Sequence, residues 1–280
     1  MTWTRRTAVL ALLLGVCGAV PGRAQVAAPA TQPVLTVPEI EDFLLNAPVV
    51  EKKGGLRGVT NAQRVTLSNG RVTHDAQIQD VDISKAFFEV GPKYTEINFK
   101  DSYRYNIAGY RLSRLLGLDN VPVSVQRTFE RKPAAFTWWI DDVMMDEGER
   151  QKKQATGPSP ARTASYIHVM RVFDELIQNR DRNAGNLLWT TDWRMWLIDH
   201  TRAFRLGKEL LKPEALERIE RTLLERMRGL NASALAEAMG ASLTKLEIDA
   251  LLARRDVIVK LFDDRIAMRG EAAVVYTLAR

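Results

Sequence analysis

Three polar side chains in the middle of the chain flank two short apolar runs. Asp181 and Asn186 precede the run at residues 187–189, and Asp199 follows the run at residues 195–198. The residues between the runs, Thr-Thr-Asp-Trp-Arg, are typical of a hairpin turn, so we expect two paired strands. Such a hairpin would bring Asn186, just before its first strand, close to Asp199, just after its second.

Two carboxylates and an amide in this arrangement suit phosphoryl transfer. That reaction needs a carboxylate that orients the nucleophile or accepts its proton, and oxygen ligands for a magnesium ion that neutralises the phosphates. Magnesium prefers one or two hard oxygen donors from protein, with water and phosphate completing its shell. Asp181 is therefore the candidate catalytic residue, and Asn186 and Asp199 are the candidate metal ligands.

A purely structural role for these residues is the alternative. Aspartate and asparagine often occupy turns and cap helices, and a single Asp–Asn pair at this spacing would be uninformative. The presence of two acids and an amide, each next to a strand end, favours a site over turn residues.

The sequence around these residues resembles the catalytic core of an atypical kinase family. Residues 181–186, Asp-Arg-Asn-Ala-Gly-Asn, resemble a kinase catalytic loop, with an acid and then an asparagine five positions on. Together with Ile-Asp-His-Thr-Arg-Ala-Phe at 198–204, they most resemble phosphatidylinositol 3- and 4-kinases and the secretory-pathway (Golgi casein kinase) branch. In those families the second acid opens a D-F-G-like turn, whereas Asp199-His200-Thr201 lacks both the phenylalanine and the glycine.

The resemblance implies a two-lobed α+β fold like that of protein kinases, with a small, mostly β N-lobe and a mostly helical C-lobe. We assign the N-lobe to residues 51–145, a linker loop to 146–163 and the C-lobe to 164–280. The implied cofactors are Mg²⁺ or Mn²⁺ with ATP or another nucleoside triphosphate. The implied activity is phosphoryl transfer to an unknown protein or small-molecule acceptor.

The candidate nucleotide contacts in the N-lobe are less specific. Gly54, Gly55 and Gly58 lie in a glycine-rich turn that is loosely similar to the phosphate-covering loop of kinases, although a plain turn explains them equally well. Trp138 could face an adenine, and so could its neighbour Trp139. Aromatic core residues are the alternative for both.

The lysine–glutamate pair of kinases is missing. The strand expected at 72–81 corresponds to the one that carries the phosphate-binding lysine, but it contains no lysine. A cation would have to come from an arginine or from one of Lys85, Lys93 and Lys100. We choose Lys100. The helix expected at 101–117 would carry the partner glutamate, but Asn106 stands there, so the pair has been lost or replaced as a unit.

The missing pair keeps a second class of function open. A pseudokinase, which would act as a binding or scaffold protein, has the same fold and does not need the pair. Its chemistry would give no reason to keep Asp181, Asn186 and Asp199 together. Transfer of another nucleotide-derived group, such as AMP, is a third alternative.

Residues 1–24 have the features of a signal peptide. Arg5 and Arg6 precede a short apolar stretch at 8–16, and small residues near Ala24 permit cleavage after it. Arg5-Arg6 is also a partial twin-arginine signal, and Cys17 lies in a poor match to a lipoprotein box. We expect an exported protein, periplasmic or extracellular, with a flexible lead-in at 25–50 and no transmembrane helix in the mature chain.

Removal of the leader changes the charge balance. The leader carries three arginines and no acid, so the formal charge falls from +6 to +3, with 37 basic and 34 acidic residues left. We therefore expect no nucleic-acid partner from charge alone. The only cysteine, Cys17, leaves with the leader, so the mature chain would contain no disulfide.

Overall fold

The computed structural model describes residues 33–55, 62–89 and 95–278. Outside the described residues lie the predicted signal peptide, residues 25–32 of the predicted lead-in, Gly58 and Lys93. Within them, no helix is both long enough and apolar enough to cross a lipid bilayer.

The N-terminal half is mostly β structure. Helix α1 spans Val37–Asn46 and helix α2 spans Arg104–Leu115. The strands are β1 (Val49–Gly55), β2 (Gln63–Ser68), β3 (Thr73–Gln79), β4 (Asp82–Glu89), β5 (Thr95–Ser102), β6 (Ser124–Phe129) and β7 (Lys132–Trp138). Five of them form an antiparallel sheet in the order β1-β2-β3-β7-β6, and β4 pairs separately with β5.

The sequence Ser68-Asn69-Gly70, which predicts a hairpin turn, joins β2 to β3. The Asn69 side-chain oxygen accepts hydrogen bonds from the backbone amides of Arg71 and Val72, at 3.0 and 2.8 Å. Gly70 adopts a φ of +81°, which glycine tolerates without steric cost. The strands on either side pair in continuous register, so the prediction is confirmed.

Helix α2 begins three residues later than the predicted 101–117. Asp101 and Ser102 are the last residues of β5, where they pair with Ile83 and Asp82. Strand pairing therefore holds them in an extended conformation, and Tyr103 is the N-cap residue, although the Ser102 hydroxyl accepts a hydrogen bond from the Arg104 backbone N–H at 3.4 Å. Gly117 follows the helix with a φ of +71°, in agreement with the predicted end.

The C-terminal half is mostly helical. Its helices are α3 (Glu147–Lys152), α4 (Pro160–Ile177), α5 (Arg221–Gly229), α6 (Ala232–Met239), α7 (Lys245–Arg269) and α8 (Glu271–Val274). Its strands are β8 (Val143–Asp146), β9 (Leu187–Thr190), β10 (Met195–Leu197), β11 (Ile219–Glu220) and β12 (Val275–Tyr276). Strands β10, β9 and β8 form a small sheet in that order, and β11 pairs in parallel with β12.

The prediction of a linker loop over 146–163 is wrong at both ends, because α3 spans Glu147–Lys152 and α4 begins at Pro160. Asp146 ends β8 and caps α3, since its side chain accepts a hydrogen bond from the Glu149 amide at 2.7 Å. Glu147 is buried and accepts hydrogen bonds from Arg150 and from the Trp189 indole, at 2.7 and 2.8 Å. The segment contains few apolar residues and is held by polar bonds. Hydrophobic periodicity could therefore not reveal the helix α3.

An adjacent pair such as Arg254-Arg255 in a charged segment is typical of a solvated helix face, but the structure buries Arg254. The Arg254 side chain is fully buried on α7 and donates to the carbonyl oxygens of Leu176 and Arg205, at 2.8 and 2.9 Å. A third bond reaches the carbonyl of Gly207. Burial lowers the pKa of Arg254 to about 10, so it stays charged at neutral pH. It joins α7 to the end of α4 and to the segment beyond residue 204.

Candidate active site

The β9–β10 hairpin brings two of the three candidate residues together. Leu187 pairs with Leu197, and the backbone N–H of Ile198 donates to the carbonyl of Asn186 at 3.1 Å. Asn186 and Asp199 therefore stand side by side at one end of the hairpin. This confirms the hairpin predicted from the two apolar runs.

Arg182 fixes the loop that carries Asp181. Its guanidinium donates to both carboxylate oxygens of Asp174 on α4, at 2.9 and 3.0 Å. It also donates to the carbonyl oxygens of Asn186 and Ile198, at 3.1 and 2.6 Å. Because one side chain ties the loop to both α4 and the hairpin, Arg182 has a structural role that its position in the motif did not reveal.

Asp181 itself is held by backbone contacts. Its N–H donates to the Asn179 side chain at 3.0 Å, and its carbonyl accepts from the Asn186 amide group at 3.4 Å. The carboxylate lies 3.3 Å from Arg202 and is 45% exposed. A carboxylate that is positioned by its backbone and accessible to solvent can receive a proton from an incoming hydroxyl group.

Asp199 adopts a left-handed backbone conformation with a φ of +53°. Non-glycine residues rarely do so, although aspartate is enriched among them, and such strain is frequent at functional sites. The Asp199 carboxylate accepts a hydrogen bond from the Thr201 hydroxyl at 3.0 Å. This bond stabilises the turn while leaving the second carboxylate oxygen available for another ligand.

His200 occupies the interior next to Asp199. Its ring packs edge-on against Phe173 at 5.8 Å, and a side chain at Gly109 of α2 would lie 3.1 Å from it. Burial lowers the pKa of His200 well below its ordinary value, and Arg182 adds to this effect, so the ring is neutral. His200 therefore acts as a buried aromatic residue at the position where the D-F-G pattern has phenylalanine.

An uncharged amide pair stands where the lysine–glutamate pair is missing. The Asn106 amide group donates to the Gln79 side-chain oxygen at 2.6 Å, and the Asn106 oxygen accepts from the His200 backbone N–H at 2.7 Å. Gln79 is the last residue of β3, the strand expected to carry the lysine. Asn106 thus links this strand, α2 and the turn at Asp199 without any charge.

Replacing Asn106 by alanine is expected to lower the free energy of unfolding by about 2–4 kcal/mol. The change removes both bonds and leaves the buried His200 N–H unsatisfied, and each buried unsatisfied group costs about 1–3 kcal/mol. Urea unfolding measures the loss. Asn46, whose amide donates to Asp42 on the surface of α1, gives a matched control, N46A. Equal, small losses in the two variants would contradict the assigned role of Asn106.

A cavity of about 870 Å³ lies between the two lobes, and all three predicted site residues line it. Its upper wall is the face of the sheet that carries Arg64, Gln77, Thr137 and Trp139. Arg64 is paired with Gln77, and Gln77 with Thr137, across adjacent strands. The cavity also borders residues 140–143, where the chain passes from β7 to β8. We call this cavity the cleft.

The two tryptophans that could face an adenine differ in their surroundings. Trp138 lines part of the cleft, yet its ring stacks on His74 at 3.5 Å and packs edge-on against Phe43. Trp139 projects from the opposite face of the strand, where the Arg64 guanidinium lies 4.0 Å from its ring. Alternation along β7 therefore makes Trp139 the better candidate for stacking on a base.

Two of the glycines proposed to contact the nucleotide, and Lys100, lie outside the cleft. Gly54 and Gly55 end β1 and are not among the residues that line the cleft. Lys100 lines another cavity and forms an ion pair with Glu247 of α7 at 2.6 Å. Among the described residues, Arg64 is the basic side chain that lines the cleft. It also forms an ion pair with Asp75.

Replacing Lys100 by alanine is expected to lower the free energy of unfolding by about 1–3 kcal/mol at neutral pH, since Glu247 is buried. Burial opposes ionisation of Glu247, but hydrogen bonds from Lys100, Tyr105 and Thr244 outweigh it and lower its pKa. The folded-state pKa lies below the unfolded one, so the stabilisation is present above about pH 4.5 and is lost as the pH falls through the folded value.

Urea unfolding at several pH values tests this assignment. The difference between the parent and K100A should be greatest at neutral pH and should shrink in acid. The control is K245A, which removes an exposed lysine paired with Asp249 on the same helix. A difference that stays constant across the pH range would contradict the assigned role of the Lys100–Glu247 pair.

The donor atoms fit a divalent cation. Asp199 offers a carboxylate, and no described residue donates to the side-chain oxygen of Asn186, so two hard oxygens face one end of the cleft. A third acid, Asp101, has a buried carboxylate oxygen that no described residue pairs with. Burial raises the pKa of Asp101, the Thr201 hydroxyl opposes this, and the negative charge of Asp199 adds to it. A cation at Asp199 would relieve this repulsion.

The metal site would rely on few protein ligands. Among the described residues, no group of three or more His, Cys, Asp or Glu side chains is arranged to hold a metal ion. Magnesium and manganese ions in nucleotide sites often use one or two carboxylates and take their other ligands from phosphates and water. The pair Asn186 and Asp199 fits that pattern rather than a site built from protein alone.

Comparison with solved structures identifies the fold. The structure of hydra Fam20 with sugar has a TM-score of 0.64 at 14% identity, and the match covers 86% of this chain and 92% of that chain. Golgi casein kinase with Mn/ADP bound has a TM-score of 0.62 at 14% identity, with 85% and 78% covered. Both confirm the two-lobed kinase-like fold and the resemblance to the Golgi casein kinase branch at the level of the fold. No protein-family model and no curated protein matches the sequence.

Proposed function

We propose that this protein is an atypical kinase-like phosphotransferase that uses a nucleoside triphosphate and Mg²⁺ or Mn²⁺. The observation that carries the proposal is the position of Asp181, Asn186 and Asp199 at one end of a single cleft between the lobes. The similarity to a kinase solved with Mn/ADP supports the choice of ligands. ATP is the simplest nucleotide for this role.

The three site residues have different roles in the proposed reaction. Asp181 orients the acceptor hydroxyl and takes its proton, while Asn186 and Asp199 hold the divalent cation. The cation would supply positive charge against the phosphates. Trp139 and Arg64 cover the cleft from the N-lobe side, and Arg182 keeps Asp181 and the hairpin in fixed relation.

A pseudokinase is the second candidate, and the Gln79–Asn106 pair favours it. An amide pair cannot supply the positive charge that the lysine gives to the phosphates of kinases. Under this alternative the protein binds a nucleotide, or none, and acts through a partner. Transfer of AMP by the same fold is a further outcome for the experiment to separate.

Labelled nucleotide distinguishes these functions. The protein from residue 25 onward is incubated with Mn²⁺ and ATP labelled on either the γ- or the α-phosphate, with protein and small-molecule acceptors, and with D181N as the control. Label from the γ-phosphate on an acceptor supports the proposal. Label from the α-phosphate alone indicates AMP transfer, and nucleotide binding with no transfer indicates a pseudokinase.

We also propose that the protein acts after export, as residues 1–24 indicate. The expected result is a mature N-terminus near Gln25 on the exported protein, measured by N-terminal sequencing or mass spectrometry. An intact leader on a cytoplasmic product would overturn the export proposal. The same measurement tests the lipoprotein alternative, because a lipoprotein would begin at a lipid-modified Cys17 instead of near Gln25.

A further inference from the structure

A second cavity, of about 730 Å³, adjoins the loop that carries Asp181. Arg180 and Arg182, the two neighbours of Asp181, line this second cavity, whereas Asp181 lines the cleft. Arg202 also lines it and contacts the Asp181 carboxylate at 3.3 Å. The Asp181–Arg202 contact therefore lies where the two cavities meet, and a group held in the second cavity would extend past Arg202 toward Asp181 and the cleft.

The acids around the second cavity are already engaged. Asp174 binds the Arg182 guanidinium through both oxygens. Glu175 accepts from the backbone amides of Leu211 and Lys212, at 2.7 and 2.8 Å. Glu96 forms an ion pair with Arg205 at 2.9 Å. Each of these acids therefore already has a partner within the protein.

Two of the cations around the same cavity have no partner among the described residues. Five basic side chains line it: Arg171, Arg180, Arg182, Arg202 and Lys212. The side chains of Arg171 and Lys212 make no hydrogen bond or ion pair to any other described residue. The Nε atom of Arg202 is buried and has no hydrogen-bond partner among the described residues. The second cavity therefore presents positive charge that is available to an anionic ligand.

Apart from Asn179, the remaining lining is apolar, from Met170, Leu211, Ala215 and Leu216. Cavities of roughly 300–1,000 Å³ with apolar walls and a few convergent polar groups are typical of small-molecule sites.

We propose that the second cavity is the acceptor site and that it takes a small, hydroxyl-bearing anion. The proposal rests on the proposed phosphotransferase function. Arg171 and Lys212 bind the phosphate or carboxylate of the acceptor, and the hydroxyl reaches Asp181. The acceptor oxygen forms a bond to the γ-phosphorus of the nucleotide. The bond from that phosphorus to the bridging oxygen breaks, the nucleoside diphosphate leaves with the electron pair, and Asp181 takes the hydroxyl proton.

Calorimetric titration with sn-glycerol 3-phosphate, D-glycerate and glycerol tests the proposal on the protein from residue 25 onward. The two anions carry a phosphate and a carboxylate, and glycerol is the neutral control. We expect saturable binding of at least one anion and none of glycerol. The variant R171A/K212A should bind that anion about tenfold more weakly or worse, as the loss of charged hydrogen bonds predicts.

The matched control is R226A/R269A, which removes two exposed arginines on α5 and α7 and the same net charge. It should bind the anion as the parent does. Thermal unfolding checks that both double variants fold, and if R171A/K212A does not, the single variants R171Q and K212Q replace it. Absence of saturable anion binding, or equal loss in the control, would overturn the proposal.

A parallel titration with ADP and Mn²⁺ separates this proposal from the proposed function. The anion should still bind when the cleft is saturated with nucleotide, because the two ligands occupy different cavities. Nucleotide binding with no anion binding, or with mutual competition, overturns the acceptor site alone. Anion binding by a protein that never binds nucleotide overturns the phosphotransferase function and the acceptor role together.

Discussion

Replacing Asp199 by asparagine is expected to abolish metal-dependent nucleotide binding. The change removes the charged ligand from the proposed cation site, where Asn186 supplies only a neutral oxygen. Loss of an outer-shell partner at a metal site typically costs about 10–100-fold in affinity, and loss of a direct ligand should cost at least as much. Titration with ADP in the presence and absence of Mn²⁺ measures the effect.

The fold should survive this substitution. Asparagine tolerates the left-handed conformation that Asp199 adopts, and its side-chain oxygen can still accept the bond from Thr201. The control D264N alters an exposed aspartate on α7 and should bind nucleotide as the parent does. Metal-dependent binding of normal strength by a folded D199N protein would show that Asp199 is not a ligand.

Replacing Asp181 by asparagine is expected to lower turnover by roughly 10²–10⁴-fold while nucleotide binding persists. General-base and positioning roles contribute rate factors of this size. The loop should keep its shape, because the side chains of Asn179 and Asn186 bond to the backbone of Asp181 and not to its carboxylate. Arg182 holds the same loop through its ion pair with Asp174. The carboxylate itself contacts only Arg202 among the described residues. Initial rates with saturating nucleotide, and calorimetric titration of the same samples, give the two readouts.

The comparison between the two variants is the stronger test. The proposed division of roles requires binding to be lost in D199N and kept in D181N. If both variants bind nucleotide and turn over as the parent does, the two acids are turn residues and the site assignment fails. Loss of binding in D199N from a parent that never turns over would favour the pseudokinase.

The parts of the structure that the sequence predicts well are local. The β9–β10 hairpin follows from two apolar runs and the turn between them, and it alone places Asn186 beside Asp199. The β2–β3 turn follows from Asn69-Gly70, because asparagine bonds to the backbone beyond it and glycine accepts a positive φ. In both cases the interacting residues are close in sequence.

The features that were missed depend on contacts between distant segments. The absence of a lysine and a glutamate was visible, but the Gln79–Asn106 bond that replaces them requires β3 to meet α2. Lys100 was a reasonable choice by charge, yet its strand directs it to Glu247, a residue 147 positions away. Arg254 resembled a solvated residue because its partners are backbone carbonyls, which leave no pattern in the side chains.

Side-chain direction limited the remaining assignments. Trp138 and Trp139 are adjacent residues of the same type, and the sequence does not distinguish them. Only the register of β7 against β3 shows which one faces Arg64. The second cavity combines residues of α4, the Asp181 loop and the segment at 211–216. None of these segments has a distinctive motif of its own, so its excess of positive charge appears only after folding.

Thermal unfolding of the protein from residue 25 onward, with and without ADP and Mn²⁺, tests the central claim most directly. If the cleft binds a metal–nucleotide complex, the two ligands together should raise the unfolding temperature, and either alone should do much less. A ligand at a hundredfold excess over its dissociation constant adds about 2.7 kcal/mol to the stability of the folded state. A parent protein that shows no stabilisation, or the same stabilisation in D199N, would contradict the account.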